Sequence, residues 1–180
     1  MTLNDELLEQ LGQSGLEQIA GLLGTDLAMA RQVIEAATGA IVGGMARNAR
    51  ELEGAHALLS ALDEHAQRNP FTADVHALSR DGQGILDHVL GEQGIMRVAA
   101  GISKFAGIDR RAIMRLLPLI APMVMSLLAD RVRRQDMDAG QVAGELRRET
   151  SAISNALGGL LNAVLGGFGD GPRPYPDETQ

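Results

Sequence analysis

The chain reads as an all-α protein, and three observations carry that reading. Apolar residues recur three and four positions apart over long stretches, as along Ala30, Val33, Ile34, Ala37, Ile41 and Met45. Aromatic residues make up 2% of the chain and strand-like alternation is missing, so the interior must be built from Leu, Ile, Val, Met and Ala. Cap signals stand where the periodic stretches begin and end, the clearest being Gly24 with Asp26 and Gly107 with Asp109.

Taken in order, residues 4–11 form a first helix that Gly12 stops, and the capping-box pattern Ser14-Gly15-Leu16-Glu17 starts a second that ends near Leu23. Asp26 opens a long helix reaching about Ala49. Its small residues Ala36, Gly39, Ala40, Gly43 and Gly44 let another backbone come close, either within the chain or across a dimer; each interior glycine costs about 1 kcal/mol relative to alanine, which close packing offsets. A helix over residues 53–67 breaks at Asn69-Pro70, because the residue before proline is pushed out of helical geometry. Residues 71–83 read as an irregular linker, followed by helices over 84–90 and 94–106. The second long helix, 109–134, contains Pro118 and Pro122, which each remove an internal hydrogen bond and should kink or break it at about 3 kcal/mol apiece. Helices over 139–150 and 152–165 close the fold.

Residues 19–50 and 102–133 align without a gap at an offset of 83 (102 minus 19), and five positions are identical: Ile19 and Ile102, Gly24 and Gly107, Asp26 and Asp109, Ala46 and Ala129, Arg50 and Arg133. Both copies read as helix, tight corner, long helix. The similarity extends to residues 54–62 with 138–146 and to 84–91 with 159–166. The expected organisation is one domain, 1–168, made from two diverged repeats at about 3–91 and 94–166, with a disordered tail at 169–180. If the halves are related by a pseudo-twofold axis, the long helices form its centre.

A formal net charge of −7 disfavours a nucleic-acid partner, since phosphate binding needs a clustered positive field. Arg131, Arg133 and Arg134 near Asp130, Asp136 and Asp138, and Arg147 with Arg148 between Glu145 and Glu149, read as solvated helix surface with local ion pairs. Without cysteine there are no disulfides or thiolate sites. Asn4, Asp5 and Glu6 replace the basic, apolar start of a signal peptide. The apolar stretch 116–129 is shorter than the roughly 20 residues a membrane span needs, and reads as a central buried helix. The expected compartment is the cytoplasm, with no membrane insertion.

The residues that could carry chemistry are scattered. His56, His65, His76 and His88 include no pair at the i,i+3 or i,i+4 spacing of a zinc helix. Gly82-Gln83-Gly84 and Gly166-Gly167-Phe168-Gly169 follow no strand and lack Gly-Lys-Ser/Thr, so neither reads as a phosphate loop. Asp170-Gly171 fails the ligand spacing of a calcium loop. Asp63-Glu64 belongs to a solvated face. Eight methionines, among them Met114, Met123 and Met125, fill the core or line an adaptable groove for a partner helix or an apolar ligand.

The ordered set Gly24-Thr25-Asp26, Gly54-Ala55-His56-Ala57-Leu58-Leu59, Asp81-Gly82-Gln83-Gly84-Ile85-Leu86, Gly107-Ile108-Asp109 and Leu116-Leu117-Pro118-Leu119-Ile120-Ala121-Pro122-Met123-Val124-Met125 resembles the YidB-like bacterial family, a domain of unknown function, over residues 3–168. The resemblance implies an all-helical bacterial protein and brings no catalytic residues. The expectation is a soluble, non-enzymatic module with no cofactor and no catalytic or metal site, acting in protein interaction, as a scaffold or through self-association. An alternative is a binder of a lipid or other apolar ligand between the two long helices. An enzyme using Asp63, His65, Asp81 or His88 would need those residues in one cleft.

Overall fold

The computed structural model describes residues 2–65 and 75–157. Among them it has seven α-helices and no strand: α1 (Leu3–Leu23), α2 (Leu27–Asn48), α3 (Leu52–His65), α4 (Val75–Val89), α5 (Gly91–Ala106), α6 (Arg110–Gln135) and α7 (Ala139–Leu157). The Asn69-Pro70 break, the end of the second repeat and the expected tail lie outside the described residues.

The two corners form as the cap residues dictate. Gly24 takes the left-handed conformation (φ 71°) and its N–H reaches the carbonyls of Ala20 and Gly21, while the Asp26 carboxylate accepts from the Met29 N–H at 2.8 Å. Gly107 repeats this with φ 69° and its N–H on the Ser103 carbonyl at 2.8 Å, and Asp109 accepts from the Arg111 N–H at 2.8 Å. That backbone hydrogen bond, with the Arg111 side chain, holds the Asp109 carboxyl below its ordinary value. A third corner uses Asp136 in the left-handed region (φ 50°) and a reciprocal box between Asp138 and Gln141, each side chain bonded to the other's backbone N–H at 2.8 Å.

The long helices α2 and α6 touch each other at the centre, and the rest pack around them. Residues 36–45 of α2 are all buried, so this helix has no outer face over that stretch. Its small-residue stripe therefore serves contacts within the chain: a Cβ on Gly44 would lie 2.7 Å from Val89 Cγ1 at the end of α4. In α6 the apolar residues from Ala112 to Val132 form the opposite half of the core. Its most apolar window has a mean hydropathy of 1.9, long and apolar enough to cross a membrane, yet 78% of that window is buried inside the protein. Each fully buried Leu or Ile contributes about 1.5–3 kcal/mol relative to an exposed one.

Four expectations need correction. The break expected in α6 does not occur, since the helix runs on through Pro118 and Pro122; the burial of its apolar residues outweighs the lost hydrogen bonds, and the Pro118 carbonyl, which Pro122 leaves without an intrahelical donor, meets Gly82 of α4 instead. The linker expected at 71–83 is helical from Val75 onward, because Leu78, Ile85, Leu86 and Val89 make a buried stripe that overrides the two glycines. No break separates two helices near Thr150; its hydroxyl donates to the Leu146 carbonyl at 2.8 Å within a continuous α7. Gly12 does stop the first helical stretch (φ 68°, ψ −176°) and a second runs on to Leu23, but it resumes directly after Gly12, so Ser14 lies inside it and does not cap it. The capping box sits instead at the beginning of α1, where Thr2 and Asp5 exchange hydrogen bonds.

Candidate functional site

An open cleft of about 240 Å³ lies between α3 and α4. Met45 of α2 and Met125 of α6 belong to its lining, so each central helix contributes one methionine, and Leu58, Ala61, Ile85 and Val89 supply the apolar walls. Met45 is fully buried and Met125 nearly so. The polar lining residues are Asn48, Asp81 and His88.

Helix periodicity explains the walls. Asp81, Gly84, Ile85 and His88 sit three and four apart on one face of α4, and Gly54, Leu58 and Ala61 do the same on α3. Two glycines set the geometry in different ways. A Cβ on Gly54 would fall 1.8 Å from the Asn48 carbonyl oxygen, so only glycine lets α3 start this close to the end of α2. A Cβ on Gly84 would meet nothing within 4 Å, so that glycine leaves space open in the cleft. The Asn48 amide donates to the His88 carbonyl at 3.3 Å and ties the end of α2 to the end of α4.

Of the four residues an enzyme would have needed together, Asp81 and His88 line this cleft and Asp63 does not. Asp63 lines a separate depression with His56, Ser60 and Arg133. The His65 side chain lies outside the described residues. Asp81 and His88 are seven residues apart, about 10 Å along the helix axis, so they stand apart in the cleft instead of forming a hydrogen-bonded pair. Among the described residues, no three His, Asp or Glu side chains converge as a metal site. What the cleft can do is accept an apolar group and offer it polar neighbours. Methionine suits that task, because its unbranched thioether adapts to the shape placed against it.

The polar feature that sequence reasoning missed is buried. Arg131, expected at the surface, is 6% exposed and pairs with Glu6 of α1 and with Glu145 and Glu149 of α7, the last at 2.6 Å. Glu149 also accepts from the Leu3 N–H at 2.8 Å, and Arg148 donates to Glu145 at 2.6 Å. Burial alone would lower the Arg131 pKa, but hydrogen bonds to Glu149, Glu6 and Glu145 raise it above its ordinary value. Burial likewise pushes the Glu145 carboxyl up, and the hydrogen bonds and charges of Arg148 and Arg131 outweigh it, leaving the group below its ordinary value. Arg133 and Arg134 do pair locally at the surface with Asp130, as their spacing implies.

A family of bacterial proteins of unknown function matches residues 5–131, a segment that contains every cleft residue named above and stops before Glu145 and Glu149. No curated protein and no solved structure matches the chain. With the match spanning well over half of its length, the chain belongs to the bacterial family DUF937.

Proposed function

We propose that the protein is a non-catalytic interaction module, and that the cleft between α3 and α4 receives an apolar side chain of a protein partner. The observation that carries this reading is the cleft's composition: apolar walls with two methionines from the central helices, and three polar side chains, Asn48, Asp81 and His88. A volume of about 240 Å³ suits one large anchor side chain, whereas drug-sized ligands occupy roughly 300–1,000 Å³. Anchors of this kind carry most of the energy in many protein interfaces.

A photo-crosslinking residue at position 84 tests it, since a side chain there extends into open space. Crosslinking in intact cells should give a discrete adduct from position 84 and none from Ala28, an exposed position on α2. Equal adducts from both positions, or none from position 84, would sink the proposal.

The second reading, an apolar small ligand between the long helices, is favoured by one fact: the cleft is lined by a methionine from each of them. Native mass spectrometry of gently purified protein separates the two, a retained small molecule supporting the ligand.

We also read the chain as a diverged tandem duplication. In support, the unit of helix, left-handed glycine, Asp cap and long helix occurs twice, and α1 packs on α6 as α5 packs on α2. The burial of α6 and the net charge of −7 support a cytoplasmic protein that neither enters a bilayer nor binds nucleic acid.

A further inference from the structure

We propose that residues 2–11 are an exchangeable arm, which opens about Gly12 and docks into the same socket of a second copy of the chain. Two independent features meet in this segment. The first is the hinge. Gly12 alone interrupts α1, at φ 68° and ψ −176°, a backbone region that essentially only glycine occupies. Helical values at this one residue would turn φ by about 130° and align the arm with residues 13–23, carrying it off its own socket.

The second is the way the arm is held. Leu3 and Leu7 are fully buried, Glu6 pairs with Arg131, and the Leu3 N–H donates to Glu149. These polar contacts reach α6 and α7, 125 and 146 residues away in sequence, and none depends on the arm belonging to the same chain. Another copy's arm would therefore restore each of them, and the reciprocal exchange closes as a twofold dimer.

The same contacts make the socket selective. An arm must bring two leucines four residues apart and a carboxylate between them for the buried Arg131 guanidinium. It must also bring a free backbone N–H for Glu149. Residues 2–11 of a second copy match all of these by construction. One interaction opposes closure: Asp5 faces Glu35 of α2 as a like charge.

Gly12→Ala in the full-length chain is the direct test, because a Cβ disfavours the bent hinge and leaves the helical one. Light scattering should show the 19.0 kDa monomer replaced by a species of twice the mass, with a fraction that rises with concentration. Adding Glu6→Ala should weaken that dimer at least ten-fold. A folded, monomeric Gly12→Ala protein would overturn the proposal, and so would a dimer indifferent to Glu6→Ala. If Gly12→Ala fails to fold, hydrogen exchange on the wild-type chain decides. Amides of residues 6–11 should exchange at least ten-fold faster than those of α2, and equal protection would refute an opening arm.

Discussion

Gly82 of α4 lies against the main-chain carbonyl oxygen of Pro118 in α6, so close that a Cβ on Gly82 would stand 1.6 Å from that oxygen. Pro122, four residues further on, has no N–H to give this carbonyl, and the Cα–H of Gly82 points at it instead. A glycine on one helix and two prolines on another thus make one contact. It fixes the crossing of α4 over α6, and with it the α4 wall of the cleft.

Gly82→Ala should therefore destabilise the fold by about 3 kcal/mol or more, although alanine is the better helix former, because α4 must lift from α6. Gly84→Ala, two residues away and with nothing within 4 Å of its Cβ, should stabilise by about 0.5–1 kcal/mol. Urea denaturation of the two variants checks the contrast, and a shift of the same sign in both would count against this packing.

Arg131→Met should cost about 3–5 kcal/mol, since it leaves the carboxylates of Glu6, Glu145 and Glu149 together without their buried cation. Arg133→Met, at an exposed ion pair, should change stability by about 0.5 kcal/mol or less. Chemical denaturation at neutral pH measures both.

Acid should loosen the same network. Glu145 has its folded pKa below the ordinary 4.5, so its charged form is favoured in the folded chain. The stability this contributes is complete above the unfolded value and is lost as pH falls through the folded one. Unfolding midpoints followed from neutral pH downward should drop through and below that range. In Glu145→Gln the drop should be shallower, and an unchanged slope would remove Glu145 from the explanation.

The local parts of this fold were legible in the sequence. Gly24-Thr25-Asp26 and Gly107-Ile108-Asp109 marked the α1–α2 and α5–α6 corners, because capping uses side chains and backbone within one turn of each other. The long helices followed from their apolar periodicity. What could not be read locally was any role set by a distant partner. Gly82 looked like punctuation until α6 was placed against it, and Arg131 looked like its neighbours Arg133 and Arg134 until Glu6, 125 residues away, was brought to it. Met45 and Met125 were visible as apolar positions, but their shared place in the cleft depends on the crossing of helices far apart in the chain.

The most direct test of the cleft as an apolar receptor is a titration of methyl-labelled methionine protein with indole, a mimic of one large anchor side chain. The methyl signals of Met45 and Met125 should shift and saturate, while those of Met29 and Met137, which do not line the cleft, stay in place, and Gly84→Phe should abolish the response by filling the space. Unsaturated shifts at all methionines, or saturable shifts at Met45 and Met125 that survive Gly84→Phe, would contradict it.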